Sequence, residues 1–239
     1  MDNPIQSIPL ANLALSFLPV AVVIVLMYRW ALGGGTALWS NVRMLVQLLA
    51  IGYVLTYIFR AEQPWIVLAV LAVMLTVSSW ITLRPVQPRP PGLYWKILAA
   101  ISLGGVSTLA LITGLVLDPD PWFAPHLVIP LAGMIFANSM NTVSVAAERF
   151  ASERVTEGYE EARRRAMNAA MIPVINSMFA VGLVSLPGMM TGQILSGVSP
   201  LIAVRYQGVV MALIFGSAGL SAACYRWLLR DASATPSEA

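Results

Sequence analysis

Histidine and cysteine are nearly missing from this sequence: His126 and Cys224 are single examples in 239 residues. A lone cysteine cannot close an intramolecular disulfide. A lone histidine, with no Cys, Glu or second His at ligand spacing, argues against a structural zinc or iron centre, so no metal ligands are assigned. Charge is scarce as well, at 10% Asp, Glu, Lys and Arg against roughly 25% in soluble domains. Catalytic motifs are missing too. There is no His-Glu-x-x-His helix, no Cys/His pair and no pair of intramembrane aspartates. Ser185 follows Gly182 at a spacing loosely like a nucleophile turn, but a serine needs a base and the one histidine lies on a different span. The chain therefore reads as no enzyme. Without a Gly-x-x-x-x-Gly-Lys-Ser/Thr phosphate loop it binds no ATP of its own, and any ATP-driven step needs another polypeptide.

What is abundant is apolar sequence, 58% of the chain, with a mean hydropathy of +0.77. About 20 apolar residues cross the roughly 30 Å hydrocarbon layer as a helix. Runs near 8–28, 42–59, 64–83, 97–117, 126–147, 168–186 and 200–225 give about seven spans and an all-α integral membrane protein. The first run starts after Asp2 with no basic leader, and no small-residue cleavage site follows it, so it is expected to remain as a helix.

Basic residues in short loops stay on the cytoplasmic side. Placing the N-terminus outside puts Arg29, Arg43, Arg84, Arg89, Lys96, Arg149, Arg154, Arg163, Arg164, Arg165, Arg226 and Arg230 inside, twelve of the 14 basic residues. Only Arg60 and Arg205 fall outside, and the outer loop 118–124 carries Asp118 and Asp120 without a base. The expected topology is N-out, C-in. Topology thus accounts for the net charge of +3, and no aromatic-basic cluster suggests nucleic acid.

Residues 1–230 read as one transmembrane domain and 231–239 as a small, polar, disordered tail. Gly33-Gly34-Gly35 reads as a flexible turn, and the Pro-rich stretch 84–92 as a semi-rigid linker or, less simply, a docking peptide. The segment 148–166 cannot lie in lipid, since residues 148–165 hold five acids and five bases. Glu160 to Arg164 and Glu161 to Arg165 form i,i+4 pairs with the acid leading, the favourable order on a helix. A short charged helix is expected to project into the cytoplasm there, either as a solvated connector or as a handle for a partner.

The most unusual run is Leu186 to Gly197, where three glycines, a proline and several polar side chains interrupt apolar sequence. In lipid such a break survives only inside protein or beside a wet cavity. It is expected to form a helix break or re-entrant turn between the last two spans. Elsewhere the spans hold neutral polar groups: Gln47, Asn138, Ser139, Asn141, Thr142, Asn176, Ser177, Thr191, Gln193 and Gln207. Many such groups serve only helix-to-helix hydrogen bonds, worth about 0.6 kcal/mol on average. Asn138 and Asn141 share a face at i,i+3, and Pro173 frees carbonyls near Ala169.

Several of these motifs together resemble the FetB-like (UPF0014) permeases. They are Arg43-x-x-x-Gln47-Leu48, Gly133-Met134-x-x-x-Asn138-Ser139-Met140-Asn141, Ile172-Pro173-x-x-Asn176-Ser177, the run from Gly182 to Gln193, Ser199-Pro200 and Arg205-Tyr206-Gln207. The resemblance covers roughly residues 40–225, and the run ending in Gln193 is its most specific part. It implies the membrane subunit of an ABC transporter that pairs with a separate cytoplasmic ATPase, as a homodimer in a bacterial inner membrane. The family is linked to iron export, plant aluminium tolerance and sugar-nucleotide movement. The usual longer cytoplasmic stretch before the Ile-Pro motif, with its Leu-Ala-Leu-Gly-Ala helix, is missing here, and Gly208 stands where the family usually has an aliphatic residue.

The sequence therefore reads as a permease with a path beside the fifth to seventh spans, lined by Gln47, Asn138, Asn141, Asn176, Met189, Met190, Gln193 and Arg205. ATPase coupling is expected at Glu157, Glu160, Glu161, Arg163 and Arg164. The alternative is an ATP-independent channel or secondary carrier, disfavoured because proton- and sodium-coupled carriers commonly place carboxylates in their spans. Hard cations want anionic oxygen, so a soft or complexed metal, or an anionic or neutral solute, suits the lining better.

Overall fold

A computed structural model describes residues 8–60, 63–87 and 89–230. The expected tail, and Asp2 before the first span, lie outside the described residues. The described residues are mostly helical, and the only β pairing among them is an isolated bridge between Val181 and Ser185. It falls into two compact units, Met1–Arg60 and Ala61–Ala239.

In the first unit α1 (Leu10–Leu15) and α2 (Leu18–Arg29) make one candidate span, and α3 (Gly34–Ile58) makes the next. The α2–α3 turn is more defined than a flexible Gly run. Gly33 takes φ 74°, which an L side chain resists. At Gly34 a Cβ would sit 2.6 Å from the Tyr28 ring, so that ring packs directly on the backbone. Because the turn is so short, α3 starts eight residues before the expected second span. At about 1.5 Å per residue its 25 residues outrun the hydrocarbon layer, leaving its polar first turns room beyond it.

The second unit contains α4 (Pro64–Thr82), then α5 (Leu93–Ile101), which runs through a π segment at Ser102–Val106, α6 (Ser107–Leu111) and a second π segment at Ile112–Leu117. After a loop come α7 (Pro125–Glu153), α8 (Tyr159–Ala180), α9 (Gly188–Leu195) and α10 (Pro200–Arg230). Its centre is α7 packed on α8, α10 and α4, with α10 also against α5.

Small residues set this packing. In α8 the buried stripe is Ala162, Ala166, Ala170 and Val174, one side chain per turn. Gly104 and Gly105 are buried where the first π segment meets α10 and α7, and a Cβ at Gly104 would stand 2.7 Å from Ser221 Cα. Lipid supplies no hydrophobic drive between helices, so close backbone approach and interhelical hydrogen bonds carry the association. Ser139, Ser217 and Ser221 supply such bonds: Ser221 Oγ donates to Ser139 Oγ at 3.1 Å and Ser139 Oγ to the Ser217 carbonyl at 3.2 Å. All three are fully buried.

Among the described residues six helical stretches are long and apolar enough to cross a membrane, against about seven expected. The difference is the sixth. Its helix begins at Tyr159 rather than near residue 168, because Glu160, Glu161, Arg163, Arg164 and Arg165 form the first turns of α8. Only about the last 15 residues of α8 are apolar. The expected separate charged helix is therefore the leading end of α8, continuous with its membrane part.

Charge also sorts by end within this unit. Ser144 Oγ lies 3.5 Å from the Thr82 carbonyl, Arg165 reaches Glu153, and Arg226 stacks on Phe150. The end of α4, the end of α7, the start of α8 and the end of α10 thus lie together. Arg84, Arg149, Arg154, Arg163, Arg164, Arg165 and Arg226 share that end.

Candidate functional site

The break after α8 is built from short-range hydrogen bonds. The Val184 and Ser185 N–H groups donate to the Ala180 carbonyl at 2.8 and 3.0 Å, and the Gly182 N–H donates to the Ser185 carbonyl at 2.9 Å. Gly182, at φ 83°, makes that reversal possible, and Pro187 precedes α9. The eight residues of α9 span about 12 Å, too little to cross the layer. A second reversal at Gly197, φ 90°, leads into α10, where the Ser199 carbonyl accepts from the Ile202 and Ala203 N–H groups at 3.0 Å.

Between this break, α7, α8 and α10 lies a cavity of about 320 Å³. Its polar lining is neutral, with Asn138, Ser177, Ser185 and Gln207, and three thioethers join it, Met134, Met189 and Met211. Asn138 Nδ2 donates to the Met134 carbonyl at 2.8 Å, which leaves its side-chain oxygen as the free acceptor. Gln207 is 5% exposed, and its Oε1 is buried without a hydrogen-bond partner, as is Gln193 Oε1. An orphaned buried amide costs about 1–3 kcal/mol. The cavity offers soft and neutral donors and no carboxylate.

At the charged end the side chains form a network. Glu153 is buried and accepts from Arg149 at 2.7 Å and Arg165 at 3.2 Å. Arg165 also reaches Glu157 at 3.1 Å and Glu161 at 2.8 Å, tying the end of α7 to the start of α8. Arg164 pairs with Glu161 at 2.7 Å and Arg163 with Glu160 at 2.5 Å. The expected i,i+4 pair forms for Glu161 and Arg165; Glu160 instead takes Arg163 at i,i+3. Hydrogen bonds from Arg164 and then Arg165 hold the Glu161 carboxyl well below its usual 4.5, at about 2.

A family model described as an uncharacterised protein family (UPF0014) matches residues 10–157 and 154–232. The chain belongs to that family. The two matched stretches meet in the turn between α7 and α8. A UPF0014 membrane protein of Synechocystis sp. is 38% identical over 75% of this chain and 76% of its own length. The probable iron export permease protein FetB of Escherichia coli is 32% identical over 90% of this chain and 88% of its own. The protein ALUMINUM SENSITIVE 3 of Arabidopsis thaliana is 30% identical over 87% and 81%. No solved structure matches the chain. The sequence and these relatives make it a multi-pass membrane protein.

In this UPF0014 chain the expected path residues scatter. Asn138 and Met189 share the cavity, and Met190 and Gln193 are half-buried on α9. Asn141, one turn along from Asn138, is exposed, as are Asn176 and Arg205. Gln47 belongs to the first unit, on an exposed face of α3 beside Met44, Leu48 and Ile51. Among the expected coupling residues Glu160 and Arg164 are the most open, with side chains 72% and 64% exposed, whereas Glu157, Glu161 and Arg163 are more enclosed.

Four residues were not among the expected site residues. Glu153 and Arg165 are the hub of the network, and the i,i+4 spacing of Arg149 and Glu153 was a usable signal. Phe150 and Arg226 meet across 76 positions of sequence, with Arg226 Cζ 3.2 Å from the ring centroid, and no local pattern foretells such a contact. Cys224 is half-buried. Among the described residues no three His, Cys, Asp or Glu side chains come together as a metal site.

Proposed function

We propose that the chain is the membrane-spanning permease subunit of an ABC transporter in the cell inner membrane, exporting an iron-like metal or a small anionic or neutral solute. A separate cytoplasmic ATPase supplies the energy, and two copies of the permease form the path. The observation that carries this reading is the cavity at the Gly/Pro break, where neutral amides, hydroxyls and thioethers converge in a membrane-embedded helix bundle. Such a lining passes a weakly held solute and does not trap a hard cation. Membership of a family that includes a probable iron export permease supports the same reading. Asn138, Met189, Met190 and Gln193 are its path residues near the break; Asn141, Asn176, Arg205 and Gln47 reach a path only on faces shared with a second copy.

The charged end faces the cytoplasm by the excess of arginine. Its outer surface, Glu160, Arg163 and Arg164 with Glu157 and Glu161 behind them, meets the ATPase. Reversing all the acids would dismantle the ion-pair network along with any docking, so the discriminating change is the swap Glu160→Arg with Arg163→Glu. It keeps an internal pair and inverts the outward pattern. Co-purification of the chain with an ATP-hydrolysing subunit, and loss of at least tenfold in stimulated hydrolysis on the swap with insertion intact, is the expected result. Absence of any such partner rejects the reading.

A further inference from the structure

A second cavity, of about 700 Å³, opens at the charged end between the start of α8 and the end of α10. Arg226 lines it and is 4% exposed, yet Nε, Nη1 and Nη2 have no hydrogen-bond partner. Among the described residues Arg226 makes no ion pair either. One face of the guanidinium is covered by Phe150, with its Cζ 3.2 Å from that ring centroid and 5.5 Å from the Tyr159 ring. Stacking holds the plane, and beside it the Tyr159 side chain is a polar neighbour that interacts with the guanidinium, a neutral group that leaves the charge without a counter-ion and most of the five in-plane N–H donors unanswered. A buried charge left in that condition is costly unless an anion completes it.

The rest of the cavity supplies further donors. The first N–H groups of α8, a 22-residue helix, have no side-chain cap, and the Tyr159 hydroxyl and Asn168 amide line the same space. Both carboxylates that line it are already neutralised, Glu160 by Arg163 and Glu161 by Arg164 and Arg165. Depth then selects the kind of anion. Arg226 sits three residues inside the end of the candidate span Pro200–Leu229. Its neighbour Trp227 is 67% exposed, and Ala223 and Met167 add apolar wall. An exposed tryptophan beside a cation at a span end marks the headgroup level of a bilayer.

We infer that the Arg226 cavity binds a phosphate oxyanion, carried by the headgroup of an anionic phospholipid at the inner leaflet. The guanidinium takes two phosphate oxygens in its plane while the open N-terminus of α8 faces the same charge. The acyl chains lie along Met167, Ala223 and Trp227. Occupancy locks the end of α10 to the start of α8 without any nucleotide-hydrolysing partner, so the inference stands apart from the transport reading.

The test uses the full chain in nanodiscs of phosphatidylcholine doped with phosphatidylglycerol, with retained lipid counted by native mass spectrometry after detergent exchange. Wild type should retain phosphatidylglycerol about tenfold over its share of the bilayer, Arg226→Gln should fall to parity, and Arg226→Lys should lie between. If Arg226→Gln fails to fold, the lysine variant and the wild-type preference decide. Calorimetric titration of the chain in phosphatidylcholine with inorganic phosphate separates the sources. Binding there that is lost in the variants, without a lipid preference, keeps the oxyanion site and moves it to free phosphate. Neither ligand bound by wild type, or both retained by a folded Arg226→Gln protein, overturns the inference. So does a site that fills only when an ATPase subunit is added, which would assign it to a protein carboxylate.

Discussion

Replacing Gly104 by alanine tests the packing that the membrane bundle depends on. A Cβ built there falls inside the contact radius of the Ser221 amide nitrogen and Oγ and only 2.7 Å from its Cα. Two of these three atoms are backbone of a 31-residue helix, so they cannot rotate away. Forced overpacking costs about 1–3 kcal/mol, and a backbone obstacle belongs at the upper end. Against this stands a gain of about 0.5–1 kcal/mol from replacing a helical glycine. The net loss is then about 2 kcal/mol, roughly thirtyfold in the unfolding equilibrium. Gly105→Ala meets side-chain atoms instead, Ile135 Cγ2 at 3.1 Å and the Phe136 ring at 3.2 Å, and both can give by a few tenths of an ångström. Gly216→Ala on α10 meets nothing within 4 Å and should be neutral or slightly stabilising. Reversible SDS unfolding in mixed micelles should rank the three variants in that order. Removing the hydroxyl with Ser221→Gly should rescue Gly104→Ala only in part, because the amide nitrogen and Cα remain. A Gly104→Ala protein as stable as Gly216→Ala would refute the close approach of α10 to the π segment.

Two further outcomes follow from the site geometry. The Glu161 carboxyl is held at about 2 against a usual 4.5 by Arg164 and Arg165, so its contribution to stability is complete above pH 4.5 and lost as pH falls toward 2; the melting-temperature gap between wild type and Glu161→Gln should close over that window, and a gap unchanged at pH 2.5 would contradict it. Cysteines placed singly at Met189, Thr191 and Gln193 in a Cys224→Ala background should react with an impermeant external thiol reagent in one nucleotide state and be protected in the other, and equal labelling in both states would rule out a moving break.

How far the sequence carried depends on the range of each interaction. Spans were legible because hydrophobicity accumulates over about 20 neighbours, and their ends moved furthest where a short-range rule competed. At Gly34 a four-residue turn pulled α3 forward, and at Tyr159 the expected charged helix proved continuous with the sixth span, since i,i+3 and i,i+4 ion pairs support helix as readily as apolar residues do. The break at 182–197 was legible because Gly and Pro act locally. The π segments were not, because their cause lies in another helix: Gly104 fits Ser221, 117 positions away. The site divides in the same way. Asn138 and Met189 could be named from neutral polarity in a span, but which side of α7 faces the cavity is fixed by α10, so Asn138 turned inward and Asn141 outward. Arg226 was counted in the sequence only as a topological charge. Its importance arises from Phe150 and Tyr159 closing over a cation for which the described residues supply no anion. A buried cation left uncompleted beside a network in which Glu153 and Glu161 each hold arginine partners is the mark of a group supplied from outside.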